Sequence, residues 1–487
     1  MTTRTTSPSL PDGLVAVVKR DCPTCELVAP VLLDLSDRAG LTVITQDDPA
    51  FPAQAEWVVH DADLSISWHH EIETVPTLIR VDRGEETDRV VGWSRSQWEQ
   101  MTGLVELGAD LPEMRPGCGS LSVDPSLSDE LAVRFSGSLL QSRRIDIAAL
   151  EDGWEAVHDR GWSDGLPAVP PTEARVLRML EGTSRAAGEV VAVVPPDLVE
   201  CSVEKVAINA VMAGCRPEHL PVVLAGVEAV CNDTFNMHGI LATTMSVGPV
   251  LVVNGPVARA IGMNSGMNVL GQGNRANSSI GRAVQLVVRN VGGGRPGEVD
   301  RATLGSPAKV GFCFAEDEDE DDDDATWESL AVSRGFSAGQ STVTAFCGEA
   351  PRIVVDQMSR SAESLTRHLA EALWATVTPR LAIGFDAMLV LSPEHLARYR
   401  DAGWSRERFL TELDTALQRD ADAIVQGAGG IDEGLPEAFT GQRVGKFRPG
   451  GLLVVRAGGT AGLFSAIIGG WVSGEMGSDP VTMEVKP

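Results

Sequence analysis

The sequence predicts an α/β protein of more than one folded unit, and three observations carry that prediction. Short valine-rich strands alternate with helical apolar periodicity along most of the chain. A dithiol tetrad, Cys22-Pro23-Thr24-Cys25, stands between one such strand and one such helix. At 487 residues the chain exceeds one ordinary domain and is long enough to bury several cores. The patterns leave strand order in the larger part open.

From the N-terminus, residues 14–18 (Leu-Val-Ala-Val-Val) suit a buried strand. Leu27, Val28, Val31, Leu32 and Leu35 then recur at helical spacing. Cys22 falls at that helix's N-terminus, where unpaired N–H groups and the helix dipole favour a thiolate. Lys19 and Arg20 add positive charge, and Asp21 opposes it. A CxxC also serves as half of a zinc site, but zinc needs a second ligand pair at short spacing. His69 and His70 are adjacent and lack it, so no metal is predicted.

On these residues the region at about 10–105 resembles the thioredoxin superfamily. Pro30 stands where that family kinks its first helix, and 72–79, with Val75-Pro76-Thr77, resembles its cis-proline segment. Residues 78–81, a turn at 82–84, and 89–92 suit a terminal hairpin, and Ser94 is expected to cap a closing helix running to about Leu104. The resemblance implies a domain at 1–105 with a redox-active Cys22–Cys25 disulfide and Pro76 packed against it. Asp21 stands where the family often has tryptophan, and Ala16 where it often has a buried carboxylate. Its reduction potential and proton route therefore do not carry over.

Composition narrows the function. Hydrophobic content is 43% and mean hydropathy is near zero, +0.01, as in a globular protein. No apolar stretch reaches membrane-spanning length, and residues 1–11 lack the apolar core of a secretory signal. A net charge of −28 argues against nucleic acid and anionic membranes as partners. Eight cysteines without a signal point to reducing cytoplasm. Lysine occurs only at Lys19, Lys205, Lys309, Lys446 and Lys486, which draws attention to Lys309.

After the first domain, residues 106–150 read as a bridge carrying Pro112, Pro116, Pro125 and the cluster Gly117-Cys118-Gly119-Ser120. An α/β core is expected over 151–345. Its elements are a helix capped by Thr172 and ending at 180 or 181, a strand at 190–194, helices at 203–212 and 220–231, a strand at 250–253 and a helix at 279–290. An acidic insertion fills 316–324, a self-repelling block that reads as solvated. The C-terminal α/β part, 346–487, contains a loop at 418–449 and a strand at 452–456.

Between Asn236 and Asn290 the chain is crowded with Gly, Asn, Ser and Thr, which form turns and whose amides and backbone N–H groups line polar ligands. Residues 271–275 do not complete a dinucleotide fingerprint, and 292–297 lack the P-loop lysine. The loops nominate Asn236, Asn264, Asn274, Arg275, Asn277 and Glu316 for substrate binding. His238 suits general acid–base work, with a plain loop histidine as the competing reading. Lys309 suits the same role if burial lowers its pKa, with an ion pair as the alternative. His238, Asn264, Asn274, Arg275 and Lys309 are expected to converge on one cavity.

Residues 160–487 also resemble large bacterial proteins of the UGSC-associated selenoprotein type. The segments that carry this are 165–167, 207–215, 254–256, 273–277, Lys309 with 312–316, 334–336 and 457–459. That family implies no reaction, and the acidic insertion departs from its shorter segment.

Two functions follow. In the first, a thiol-disulfide oxidoreductase module is fused to a cytoplasmic enzyme domain acting on a small molecule, with a disulfide reductase or thiol donor as partner and a homo-oligomer as a possible assembly. Cys118 is then a third thiol linking the two parts, with Cys347 or Cys215 as alternatives. In the second, the first domain is an interaction module beside a non-redox lyase, hydrolase or binding protein. No cofactor beyond the Cys22–Cys25 disulfide is predicted.

Overall fold

In a computed structural model of the chain, which describes residues 8–55, 57–135, 140–148, 151–306, 309–318, 326–425 and 437–486, helices and strands alternate and pack in layers. The protein is of the α/β class. It divides into two units, Met1–Leu139 and Leu140–Pro487.

In the first unit β1 (Gly13–Val18) is buried from Leu14 onward and forms the middle of a five-stranded sheet. The chain continues through α1 (Pro23–Ala39), β2 (Leu41–Thr45), β3 (Val58–His60), α2 (Ser65–His69), β4 (Thr74–Val75), β5 (Thr77–Asp82), β6 (Glu85–Val91), β7 (Trp93–Ser94) and α3 (Arg95–Thr102). Strand order is β3-β2-β1-β5-β6. The first three strands run parallel, and β5 and β6 are antiparallel to their neighbours. Val28, Val31, Leu32 and Leu35 of α1 are buried in this unit's core with Val15, Val17, Ile79 and Trp98, as their helical spacing requires. Ser94 stands at the N-cap of α3, but its hydroxyl meets Ser96 instead of capping the helix, which ends at Thr102.

The bridge expected over 106–150 is not a plain tether. Residues of β8 (Met114–Arg115) pair with β7, those of β9 (Cys118–Gly119) pair with β4, and α4 (Ser128–Phe135) follows. Its described residues through Phe135 thus fold within the first unit. Residues 136–139 and 149–150 lie outside the described residues.

The second unit opens with α5 (Gly153–Asp159), α6 (Glu173–Leu180), the hairpin β10 (Val190–Val194) and β11 (Val199–Ser202), then α7 (Val203–Ala213), α8 (Leu220–Val230) and α9 (Met237–Ala242). Thr172 stands at the N-cap of α6, but its side chain accepts no capping hydrogen bond. A strand and its helices follow: β12 (Gly248–Asn254), α10 (Pro256–Ala260), α11 (Arg275–Asn290), β13 (Cys313–Ala315), α12 (Leu330–Ser333), β14 (Thr342–Gly348) and β15 (Arg352–Val355). The remainder is α13 (Ala362–Trp374), β16 (Phe385–Leu391), α14 (Pro393–Asp401), α15 (Arg406–Ala416), β17 (Arg419–Asp420), α16 (Ala421–Val425), β18 (Arg443–Val444), β19 (Leu452–Arg456), β20 (Phe464–Val472) and β21 (Val481–Glu484). Helix α11 starts at Arg275, four residues before the expected 279, because Asn274 caps it by accepting from Asn277 N–H. Of the acidic insertion, residues 316–318 are described, whereas 319–325 lie outside the described residues. So do 426–436 of the expected 418–449 loop.

One connectivity occurs twice in this unit. β12 is parallel to β13 and antiparallel to β14, just as β16 is parallel to β19 and antiparallel to β20. The exchange is reciprocal: β15, which follows β14, pairs with β20, and β21, which follows β20, pairs with β14. The halves join where Gly348 pairs with Gly470. A Cβ on Gly348 would meet Ile468 Cγ2 at 2.6 Å and one on Gly470 would meet Asp386 O at 2.5 Å, so the junction needs glycine.

Alternation along the strands explains the layering. Val250, Val252, Phe314, Phe346, Met388, Val390, Val455 and Ile468 share one core cluster, so the two half-sheets pack face to face. Leu251, Val253, Cys313 and Ala345 point the other way, to α7, α8 and α11. Ala387, Leu389 and Val454 point to α13, α14 and α15. The result is four layers, helix–sheet–sheet–helix. Among the described residues, no helix is long and apolar enough to cross a membrane.

Candidate active site

The dithiol is positioned by the end of β1 and the start of α1. Backbone N–H groups of Arg20 and Asp21 donate to the Asp47 carboxylate at 2.7 and 2.9 Å, which turns the chain out of the sheet. Cys22 is the N-cap of α1, and its sulfur accepts the Cys25 N–H at 3.3 Å. That bond, with hydrogen bonds from the thiols of Cys25 and Cys118, pulls the Cys22 thiol down to about 5, the Cys25 thiol contributing most. Cys25 is wholly buried, and burial and its bond to Cys22 push its thiol far up. Two sulfurs one helical turn apart are thus pushed in opposite directions, Cys22 toward the thiolate and Cys25 toward the thiol.

The Val75–Pro76 bond is cis, and Val75 O lies 3.5 Å from Cys22 Sγ. Over this edge lies the segment 112–123. Val75 pairs in register with Cys118 and Thr74 with Gly119, antiparallel. Thr24 Oγ1 donates to Pro116 O at 2.8 Å and Ser120 N–H to Glu73 O at 2.9 Å. Buried Gln46 donates from Nε2 to Ser120 Oγ and Ser67 Oγ, and its Oε1 accepts Leu121 N–H at 3.0 Å. Ser122 Oγ closes the segment on Ile72 O at 2.6 Å. Gly117 lies so close that a Cβ there would meet Thr74 Cγ2 at 2.4 Å and Val75 O at 2.7 Å. Under this cover Cys22 is 1% exposed, so both sulfurs of the pair are closed.

The second unit does not gather its nominated residues into one cavity. Asn264, Asn274 and Asn277 come together, but they hold one another. Asn264 N–H donates to Asn277 Oδ1, Asn277 Nδ2 to Asn264 O, and Asn274 Nδ2 to Gly262 O. Arg275 Nε donates to Gly214 O. Asn236 caps α9 and donates from Nδ2 to Gly477 O, while His238 is exposed on that helix rather than in a loop. Lys309 lies at the opposite end of β12 from the asparagines, beside Gly248, in an ion pair with Asp300 at 2.5 Å. Glu316 is buried and binds two strand ends and the start of α12: it accepts from Asn254 Nδ2 and Leu330 N–H at 2.7 Å and from Arg456 N–H at 3.1 Å. Burial raises its pKa. These contacts are those of a scaffold.

Cys215 and Cys347 lie in the apolar layer between helices and sheet, and burial pushes both thiols up. Neither has the environment of an exchanging sulfur. A separate cavity of about 640 Å³ is lined by Ile147, Trp162, Lys205, Asn209, Met212 and Asn290 among others, and none of the nominated residues borders it. Glu155, His158 and Asp159 are the one set of side chains among the described residues close enough to share an ion, and all three are exposed.

The chain matches no known family model and no curated protein.

The geometry identifies two participants that sequence reasoning missed, Gln46 and the Val75 carbonyl. Gln46 carries no motif, and Val75 is marked in the sequence only as part of the cis-proline segment. A polar Gln46 closing the apolar β2 run was the available signal, and the pairing that gives it meaning is a contact over more than seventy positions. What the arrangement offers chemically is a helix-capping cysteine whose thiol is drawn down, a buried partner cysteine one helical turn away, and a third cysteine set in register opposite Val75.

Proposed function

We propose that the first unit is a thioredoxin-like thiol–disulfide exchange module, and that it serves a catalytic unit acting on a small molecule within residues 140–487. The placement of Cys22 at the N-cap of α1, accepting the Cys25 N–H and lying 3.5 Å from Val75 O, carries this reading, and the opposite directions in which the two thiols are pushed support it. The Cys22 thiolate attacks a disulfide sulfur of the substrate. A Cys22–substrate S–S bond forms as the substrate's own S–S bond breaks, and the departing sulfur takes a proton. Cys22 is then neutral, which removes the charge and the hydrogen bond that helped keep Cys25 protonated. Cys25 gives up its proton and attacks Cys22, releasing the second substrate thiol. The chain ends with a Cys22–Cys25 disulfide, having delivered two electrons, and a dithiol reductase or thiol donor restores it. The placement of a dithiol centre and an enzyme unit on one chain raises the effective concentration of the reductant.

A second reading takes the first unit as an interaction module beside a non-redox lyase, hydrolase or binding protein. The closure of Cys22 beneath its own chain favours it. Equilibration in graded reduced and oxidised dithiothreitol separates the two. The exchange reading predicts one two-electron transition that removes two thiols and vanishes in Cys22→Ser. An unchanged thiol count across the range overturns it and leaves the second reading.

A further inference from the structure

A tether between folded units has no reason to be bound along its length. Residues 112–123 are bound at almost every step: 112–115 are held by β7 and the start of α3, and the bonds of 116–122 draw the segment onto the dithiol edge. Thr24, one residue before Cys25, holds Pro116. Glu73 and Ile72, just before the cis-proline, hold Ser120 and Ser122. Gln46, at the end of β2, holds Ser120 and Leu121. Gly117 is the residue whose lack of a Cβ lets the backbone come this near. The outcome is a two-residue antiparallel pairing that sets Cys118 opposite Val75, whose carbonyl is 3.5 Å from Cys22 Sγ. An outside strand carrying a cysteine to Cys22 would have to take the same edge.

We propose that Cys118 is the third sulfur of this centre, an internal exchange partner that the 112–123 segment holds in the cleft and that forms a disulfide with Cys22. This rests on the reading of Cys22 and Cys25 as an exchanging pair. Starting from the Cys22–Cys25 disulfide, Cys118 loses its proton and attacks Cys22 Sγ. The Cys22–Cys118 bond forms, the Cys22–Cys25 bond breaks, and Cys25 takes up the proton that Cys118 released. No electron leaves the chain. Cys25 in its fully buried position then carries a neutral thiol, which that environment accepts more readily than a thiolate. The linked state is an oxidised form in which the segment is sewn over the cleft and no outside disulfide reaches Cys22. Reattack by Cys25 reopens it.

The test maps disulfides in the full chain after incubation with millimolar oxidised glutathione, acid quenching and alkylation. In Cys25→Ser, Cys22 should be recovered linked to Cys118 in about tenfold excess over its glutathione adduct, because a tethered sulfur outcompetes a millimolar thiol. In Cys25→Ser/Cys118→Ser the glutathione adduct on Cys22 should replace that link. The wild-type chain, partly oxidised, should yield both Cys22–Cys25 and Cys22–Cys118 peptides, a measurement that needs no variant to fold. Recovery of Cys22–Cys25 in the wild type with Cys118 always free, and only a glutathione adduct in Cys25→Ser, overturns the third-sulfur assignment and spares the exchange reading. Absence of any disulfide at Cys22 in every form overturns both.

Discussion

Gln46→Leu isolates the segment's hold on the dithiol. The side chain of Gln46 is buried and makes two contacts to the segment, donating to Ser120 Oγ at 2.5 Å and accepting Leu121 N–H at 3.0 Å. Leucine keeps the volume and removes both. The lost bond to Ser120 costs about 1 kcal/mol net, and the orphaned Leu121 N–H about 1–3 kcal/mol while the segment stays closed. The closed state is therefore weakened by about 2–4 kcal/mol, and at about 1.4 kcal/mol per tenfold the open population rises roughly 30- to 700-fold. The assay is the rate at which iodoacetamide alkylates Cys22 in the reduced chain at neutral pH, read by peptide mass. With Cys22 at 1% exposure, the wild-type rate should lie well below that of a free thiolate and should rise with the open population. The control is Ser67→Ala, which removes the other Gln46 bond but none of the segment's own. A Gln46→Leu chain that is folded yet alkylates within twofold of wild type refutes the reasoning, as does a wild-type chain that alkylates at the free-thiolate rate.

Three further outcomes follow from the same geometry. The thiolate absorbance of the reduced chain should titrate with a Cys22 midpoint near 5; Cys25→Ala should raise that midpoint more than Cys118→Ala, matching the order of their hydrogen bonds to Cys22. Because the folded-state value is depressed from an unfolded value of 9.0, Cys22 contributes stability that is complete above the unfolded value and lost as pH falls toward 5. Urea melts of reduced wild type against Cys22→Ser should therefore diverge as pH rises through that window, and parallel curves would contradict it. Gly348→Ala sets a methyl 2.6 Å from Ile468 Cγ2 and 2.9 Å from Val250 Cγ2; it should destabilise the second unit by about 1–3 kcal/mol in urea unfolding, and a neutral effect would contradict the glycine junction.

Local features of this fold were legible where local physics decides them. The run before Cys22, the spacing of Val28, Val31, Leu32 and Leu35, and the hairpin around residues 82–84 all lie where the patterns indicate. So do α7, α8 and β19, within a few residues at each end. What failed to show is long-range. Two residues pairing at Val75 and Cys118 leave no periodicity to read. The doubled connectivity of the second unit is hidden because its strands are buried on both faces, so residues such as 250–253 read as unbroken apolar runs that name neither layer. The polar residues show a structural role that the sequence pattern does not separate from binding. Asparagine serves equally to bind a ligand and to cap a helix or tie a loop, and Asn236, Asn264, Asn274 and Asn277 do the latter. Lys309 took the ion-pair alternative, and no pattern indicated that it stood at the far end of β12 from those asparagines.

Whether Cys22 is the attacking sulfur is decided by the identity of the first sulfur modified. The reduced 487-residue chain is mixed with a small aromatic disulfide, quenched in acid over milliseconds to seconds, and mapped by mass. The account predicts that the mixed disulfide appears first on Cys22 and then decays into a Cys22–Cys25 or Cys22–Cys118 bond with release of the second aromatic thiol. A first adduct on Cys25, or one on Cys22 that persists with neither neighbouring sulfur resolving it, would contradict the account.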